Sequence, residues 1–353
     1  MKKQYYDISN LMKVDATYKL LIGQRANGKS YQVKLRLALK KAFKEHKKFI
    51  YLKRWEKDIK QDNVSSYFDD MPVLEITEDK YSGVMAYQGY IYFYNVDDEG
   101  KIVKGEKIGR YCALRLNERY KSQVFEGYED IIFEEFITDG QYLEDEPRKL
   151  MQFVSTVFRH KRGTVWMIGN TLSRVCPYFN EWCLTGTLRQ TPGTIEVYHF
   201  KVNDETVNVA VEYCANTNYK NTMFFGQAAK QIVSGEWDVY DMNHLPGEQS
   251  DYECVYKMLV EYQAFRFCMN LLIDANGGKI VFIHPQTTRT KFDRILTDRF
   301  SLNPLISARL NPKRKAEAHI QECFKQNKVC YSDNLTGTDF KHVNEHFSIS
   351  PLF

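Results

Sequence analysis

The chain has 353 residues, 43% of them hydrophobic and 27% charged, so it is too long for one small domain and too apolar for disorder to dominate. Its formal net charge of +4 is too mild to identify a nucleic-acid binder, and no stretch reaches the ~20 apolar residues of a membrane helix or carries a signal-peptide pattern, which predicts a protein neither secreted nor membrane-spanning. Eight cysteines without a C-x-x-C pair or zinc spacing read as buried free thiols in a reducing compartment.

From the N-terminus, TYKLLIG (Thr17 to Gly23) is a short apolar run ending in glycine, and Val33, Leu37 and Phe43 in the following segment fall near helical spacing. KKFIYLKRW returns to strand character, so the start of the chain predicts a βαβ unit and a parallel sheet. Residues 83–116 alternate aromatic and polar side chains around Asp97-Asp98-Glu99-Gly100, which predicts a hairpin or small meander inserted in the α/β layer. DIIFEEF (Asp130 to Phe136) reads as a buried strand, RKLMQFVSTVFRHKR as a helix, and GTVWMIGN and GTIEVYHF as two further strands.

The pattern weakens from Lys201 to His244, and this stretch reads as a connector with one helix in NYKNTMFFGQAAKQIV. YECVYKMLVEYQ, FRFCMNLLIDANGG and KIVFIHP then predict three consecutive strands of a second domain, the last two joined at Asn276-Gly277-Gly278. The expected division is residues 1–200, 201–244 and 245–353. Basic residues cluster at Lys40, Lys41, Lys44, Lys47, Lys48, Lys53, Arg54, Lys57 and Lys60, and again in ARLNPKRKAEAHIQECFKQNK. Such clusters form either solvated helix faces or a footprint for phosphate backbone.

Gly23-Gln24-Arg25-Ala26-Asn27-Gly28-Lys29-Ser30 matches G-x-x-x-x-G-K-[ST] at every fixed position, between an expected strand and an expected helix. In such a loop the glycines let the backbone wrap a phosphate, and the N–H groups and helix start point at the anion. Lys29 would bridge β- and γ-phosphate oxygens and the Ser30 hydroxyl would bind Mg²⁺. Arg25 reads equally as an extra phosphate contact or a solvated side chain. The nucleotide set runs on to Tyr31, and the cofactors expected are ATP and Mg²⁺.

A phosphate loop needs a carboxylate at a neighbouring strand end to hold the metal's water shell, and a base for the attacking water. Glu134 and Glu135, closing the apolar run DIIFEEF, supply the two. This acid pair predicts the additional-strand, catalytic-glutamate class of P-loop NTPase, with a polar sensor at the end of the extra strand. Asn170 ends GTVWMIGN and is either that sensor or a turn asparagine. Ring enzymes of this class complete the site with an arginine from the neighbouring subunit; Arg159 is the candidate, with Arg162 and Arg174 as rivals.

The order IGQRANGKSY, FIYLKRW, IIFEEF, TVFRHKR and CPYFNEW resembles the DNA-packaging ATPases of φ29-like tailed bacteriophages, most closely over residues 10–185. The resemblance implies a homomeric ring, pentameric in the φ29 type, docked on the portal vertex of a prohead in the host cytoplasm, driving double-stranded DNA inward with ATP. In φ29 itself a structural RNA links ATPase to capsid. By position it assigns Lys29 and Ser30 to the phosphate loop, Glu134 to the metal side, Glu135 to the base and Arg159 to the trans-acting finger. Lys121, in RYKSQ, matches a second basic residue acting across the subunit interface. Relatives usually carry aspartate where this chain has Glu134.

The same resemblance implies a C-terminal α+β domain of RNase H type. Larger packaging enzymes cut DNA there with clustered acids. Here Glu253 and Glu261 lie in the first strand and Asp274 near a later turn, so a vestigial fold that binds nucleic acid or the portal without cleaving is expected. The leading expectation is an ATP-driven translocase of double-stranded DNA. A ring helicase on single strands and a nucleotide-binding structural module with negligible turnover are the alternatives.

Overall fold

The computed structural model describes residues 5–159, 161–214, 235–288 and 290–349. They form two units, residues 1–172 with 176–237 and residues 173–175 with 238–353.

The first unit is built on nine strands: β1 (Tyr18–Gly23), β2 (Lys48–Lys53), β3 (Gly83–Tyr87), β4 (Tyr90–Val96), β5 (Ile102–Ala113), β6 (Tyr128–Glu134), β7 (Thr164–Asn170), β8 (Thr194–Val202) and β9 (Glu205–Tyr213). Their order across the sheet is β3-β4-β5-β2-β6-β7-β1-β9-β8. The central strands run parallel, with β7 between β1 and β6. Each is covered on both faces, which is why these segments read as near-continuous apolar runs. Alternation along the strands sends Leu20, Ile22, Ile131, Phe133, Val165 and Met167 into one core and Leu21, Ile132, Trp166 and Ile168 into the other.

One reading of the sequence is corrected here. The stretch after Lys201 is no connector: β9 pairs in parallel with β1, and β8 pairs with β9 through a turn at Asn203 (φ 55). The first unit therefore reaches residue 237, and the expected helix around NYKNTMFFGQAAKQIV lies outside the described residues. The aromatic segment 83–116 is the expected meander, of three strands, and its last strand, β5, also pairs in parallel with β2 and so extends the main sheet.

The second unit has a six-stranded sheet: β10 (Glu253–Tyr262), β11 (Phe265–Ile273), β12 (Lys279–Pro285), β13 (Arg294–Thr297), β14 (Ile306–Ser307) and β15 (Val329–Tyr331), in the order β14-β13-β10-β11-β12-β15. β10, β11 and β12 are antiparallel; β13 runs parallel to β10 and β15 parallel to β12. Helices Lys315–Lys325 and Asn334–Phe347 contribute Ile320, Phe340 and Val343 to its core. All eight cysteines are free, and Cys183 is exposed rather than buried. Among the described residues no helix is long and apolar enough to cross a membrane.

Candidate functional site

The register places Gly23 beside Asn170, and Glu134 beside Ile168, so the phosphate loop, both glutamates and Asn170 gather at the C-terminal edge of the parallel strands. Gly28 opens the helical run at φ 90, and a Cβ there would lie 2.4 Å from the Tyr5 ring, so only glycine fits. Asn27 braces the loop by accepting the Lys29 backbone N–H at 3.1 Å. Gln24 and Asn27 are buried while Arg25 and Ala26 face outward. Tyr31 stacks on Tyr5 with ring centroids 3.9 Å apart.

Lys29 is buried, and its ammonium donates to the Gln24 carbonyl (2.7 Å), the Asn170 side-chain oxygen (2.6 Å) and, more weakly, the Gly23 carbonyl (3.4 Å). Loss of solvent pulls its pKa down to about 8. Neutral oxygens thus hold the cation where phosphate oxygens would replace them. Asn170, read as either a sensor or a turn asparagine, is the direct partner of Lys29.

The two glutamates are divided by the backbone. Glu134 ends β6 pointing inward, 6% exposed; one oxygen accepts from Tyr67 Oη (2.5 Å) and the other faces Ser30 Oγ at 3.4 Å. The Ser30 hydroxyl and this carboxylate are the hard oxygen donors Mg²⁺ takes, so the donor set fits that metal. Glu135 has φ 59, a left-handed conformation that costs a non-glycine residue of order 1 kcal/mol, and this turns its side chain outward, 66% exposed, to meet Lys53 Nζ at 3.0 Å. Arg54 holds the turn by donating to the carbonyls of Glu135 (3.1 Å) and Phe136 (2.9 Å) while paired with buried Glu146 at 2.6 Å.

Arg159 lies elsewhere. The helix Glu146–Phe158 runs back after β6, so Arg159 emerges at the N-terminal edge of the sheet, just before β7. It too has φ 44, and its guanidinium donates to the carbonyls of Gln123 (2.9 Å) and Lys121 (3.4 Å). Lys121 itself pairs with Glu118 at 2.6 Å. With Arg148 and the exposed side of the helix, these cations line a surface groove of about 640 Å³. Of the rivals, Arg162 is exposed nearby, whereas Arg174 pairs with Asp339 in the second unit.

A model of the podovirus DNA encapsidation protein (Gp16) family matches residues 1–228, well over half of the chain. The chain belongs to this family. Curated relatives are the DNA packaging proteins of Bacillus phages PZA and phi29, each 25% identical over 182 residues. Each match covers 50% of this chain and spans about half the relative's length. The Phi-28 gp11 DNA packaging motor matches over the full length of both chains at TM-score 0.54 and 16% identity. The bacteriophage Phi-29 viral genome packaging motor assembly matches at TM-score 0.58 and 18% identity, over 98% of this chain and 99% of that one. At such identities the structural likeness concerns the fold alone.

In this encapsidation-family chain, sequence reasoning missed Tyr67, Lys53 and Arg54 as site residues. The last two stood in the basic cluster read as solvated or phosphate-facing. Instead, Lys41 pairs with Asp130 at 2.5 Å, Lys47 with Glu129, Lys53 with Glu135 and Arg54 with Glu146. A signal existed for Lys53 and Arg54, because FIYLKRW ends in cations directly after an apolar strand. Tyr67, in a polar segment, carried none. In the second unit, Glu261 pairs with Arg266 at one end of the β10–β11 ladder, while Asp274 shapes the turn at the other by accepting the N–H groups of Asn276 and Gly278. Among the described residues no group of three His, Cys, Asp or Glu side chains is placed to hold a metal.

Proposed function

We propose that this chain is the ATPase of a phage genome-packaging motor, hydrolysing Mg-ATP to move double-stranded DNA into a prohead. One observation carries the reading: in a chain of the encapsidation family, a phosphate loop, a Ser30–Glu134 donor pair and an outward Glu135 meet at one sheet edge. Strand order supports the additional-strand class, since β7 lies between the loop strand and the acid strand. Lys29 and the N–H groups from Gly23 to Ser30 bind the phosphates, with Tyr31 beside them. Ser30 and Glu134 would hold Mg²⁺, which would supply charge neutralisation on the phosphate oxygens. Glu135, once released by Lys53, accepts a proton from the attacking water.

Arg159 sits at the opposite edge from its own phosphate loop, which supports action on a neighbouring subunit in a homomeric ring, pentameric by analogy with φ29, with Lys121 beside it. Double-stranded DNA, the portal vertex and a structural packaging RNA are the proposed partners, and the host cytoplasm and prohead vertex the proposed place. The second unit fits an RNase H-type arrangement, with three antiparallel strands and β13 then β14 added in parallel beside β10. The scattered acids favour a binding role there over cleavage. The test is ATPase activity with and without duplex DNA. Stimulation by DNA, lost in Lys29→Ala and reduced about 10²–10⁴-fold in Glu135→Gln, is expected; a DNA-independent rate on a small-molecule acceptor would sink the proposal.

A further inference from the structure

We propose that Tyr67 is a positioning residue that fixes the Glu134 carboxylate for the divalent cation arriving with the nucleotide; the inference rests on the nucleotide reading above. A glutamate side chain has three torsions to fix, and the apolar strand behind Glu134 offers nothing polar to fix its carboxylate. The Tyr67 hydroxyl supplies that constraint. It donates to one carboxylate oxygen and leaves the other oxygen facing Ser30.

The ring is seated by elements of the same site. Tyr51 of β2 lies against it at 4.5 Å between centroids and Phe68 meets it edge-on at 5.0 Å. The Lys34 ammonium sits 4.6 Å from the ring centroid, donates to the Tyr67 carbonyl at 2.6 Å and pairs with Asp70. Lys34 is four residues beyond Ser30 on the helical run that starts at Gly28. The phosphate loop's own helix therefore presents the metal-side hydroxyl at one turn and seats Tyr67 at the next. A tyrosine that merely filled space would need the ring and its cation but not the hydroxyl.

The variant Tyr67→Phe separates these roles, since it keeps the stack on Tyr51 and the Lys34 contact. Binding of a fluorescent ATP analogue to the full-length protein is measured in saturating Mg²⁺ and in EDTA. The gain in affinity that Mg²⁺ confers falls about tenfold in Tyr67→Phe, as for loss of an outer-shell contact, while affinity in EDTA is unchanged. In a Glu134→Asp background, whose shorter side chain withdraws from the hydroxyl, Tyr67→Phe has no further effect, so the two positions are coupled. An undiminished Mg²⁺ gain in Tyr67→Phe, or equal losses in both backgrounds, overturns the proposal. Lys29→Ala separates this failure from that of the nucleotide reading: if it leaves analogue binding intact in both conditions, the nucleotide site itself is misassigned. Should Tyr67→Phe not fold, Lys34→Met, which unseats the ring without touching Glu134, gives the same diminished gain or overturns the proposal.

Discussion

The two edges of the parallel sheet in the first unit differ in how their charges are satisfied. At the C-terminal edge four charged groups are engaged: Lys29 by carbonyl and amide oxygens, Glu134 by Tyr67, Glu135 by Lys53, Arg54 by Glu146. At the N-terminal edge Arg159 rests on two backbone carbonyls, and among the described residues no carboxylate pairs with it. One edge gathers the candidate site; at the other, where Lys41–Asp130 and Lys47–Glu129 are paired, Arg159 is an exposed cation in a strained backbone conformation. A guanidinium kept without a counter-charge is available to an anion from outside the chain. Under the proposed function, this difference supports an active centre assembled from two copies of the chain.

The largest effect that can break this comparison is at Arg159. If it meets the γ-phosphoryl of a neighbour, Arg159→Ala lowers turnover roughly 10³–10⁵-fold, the range of an arginine finger, with nucleotide affinity nearly unchanged. Mixing Arg159→Ala with Glu135→Gln restores part of the activity, because some interfaces then combine an intact base with an intact arginine. Mixtures as inactive as either variant alone would place both residues in the same subunit's site and erase the distinction between the edges.

A smaller effect tests the C-terminal edge from within. Arg54 and Glu146 are both buried, at 5% and 0% exposure, and Tyr178 also donates to Glu146 at 3.0 Å. Removing one partner strands the other charge, so Arg54→Met costs about 3–5 kcal/mol of stability, read from urea unfolding. The same change frees the carbonyls of Glu135 and Phe136, and Glu135 loses the brace that keeps it at positive φ. A variant as stable as the wild type would mean that the edge is held by strand packing and not by this network.

How much of this was legible in the sequence follows from what is local in the chain. The phosphate loop spans eight consecutive residues, and β1, β6 and β7 are buried on both faces, so their apolar runs need no partner to be read. β8 was legible in GTIEVYHF, whereas β9 was lost because it begins with polar residues beyond the turn at Asn203. The pairs Lys53–Glu135 and Tyr67–Glu134 arise only because β2 lies beside β6, a neighbour relation fixed by tertiary packing and not by spacing. The same holds for Lys41, Lys47, Lys53 and Arg54 of the basic cluster, which found carboxylates on β6, just after it and on the following helix. Arg159 was a candidate because it follows the apolar stripe FVSTVF, but only the resemblance sets it apart from other arginines.

The smallest effect lies in the protonation of Lys29. Burial holds its ammonium at about 8 without nucleotide, and a bound triphosphate, by placing negative charge against it, raises that value. Below pH 8 the lysine is already charged and binding moves no proton. Above it the free protein has lost the proton that the complex keeps, so binding must take one up, and affinity falls with rising pH by up to tenfold per unit. Fluorescent nucleotide titrations at pH 7, 8 and 9 measure the slope. The Lys29→Arg variant, whose guanidinium stays charged throughout, gives a flat profile over the same range even if its affinity is lower. A flat wild-type profile, or the same slope in both proteins, would show that the neutral oxygens of Gln24 and Asn170 hold Lys29 charged without help from phosphate, and that the C-terminal edge is complete before its ligand arrives.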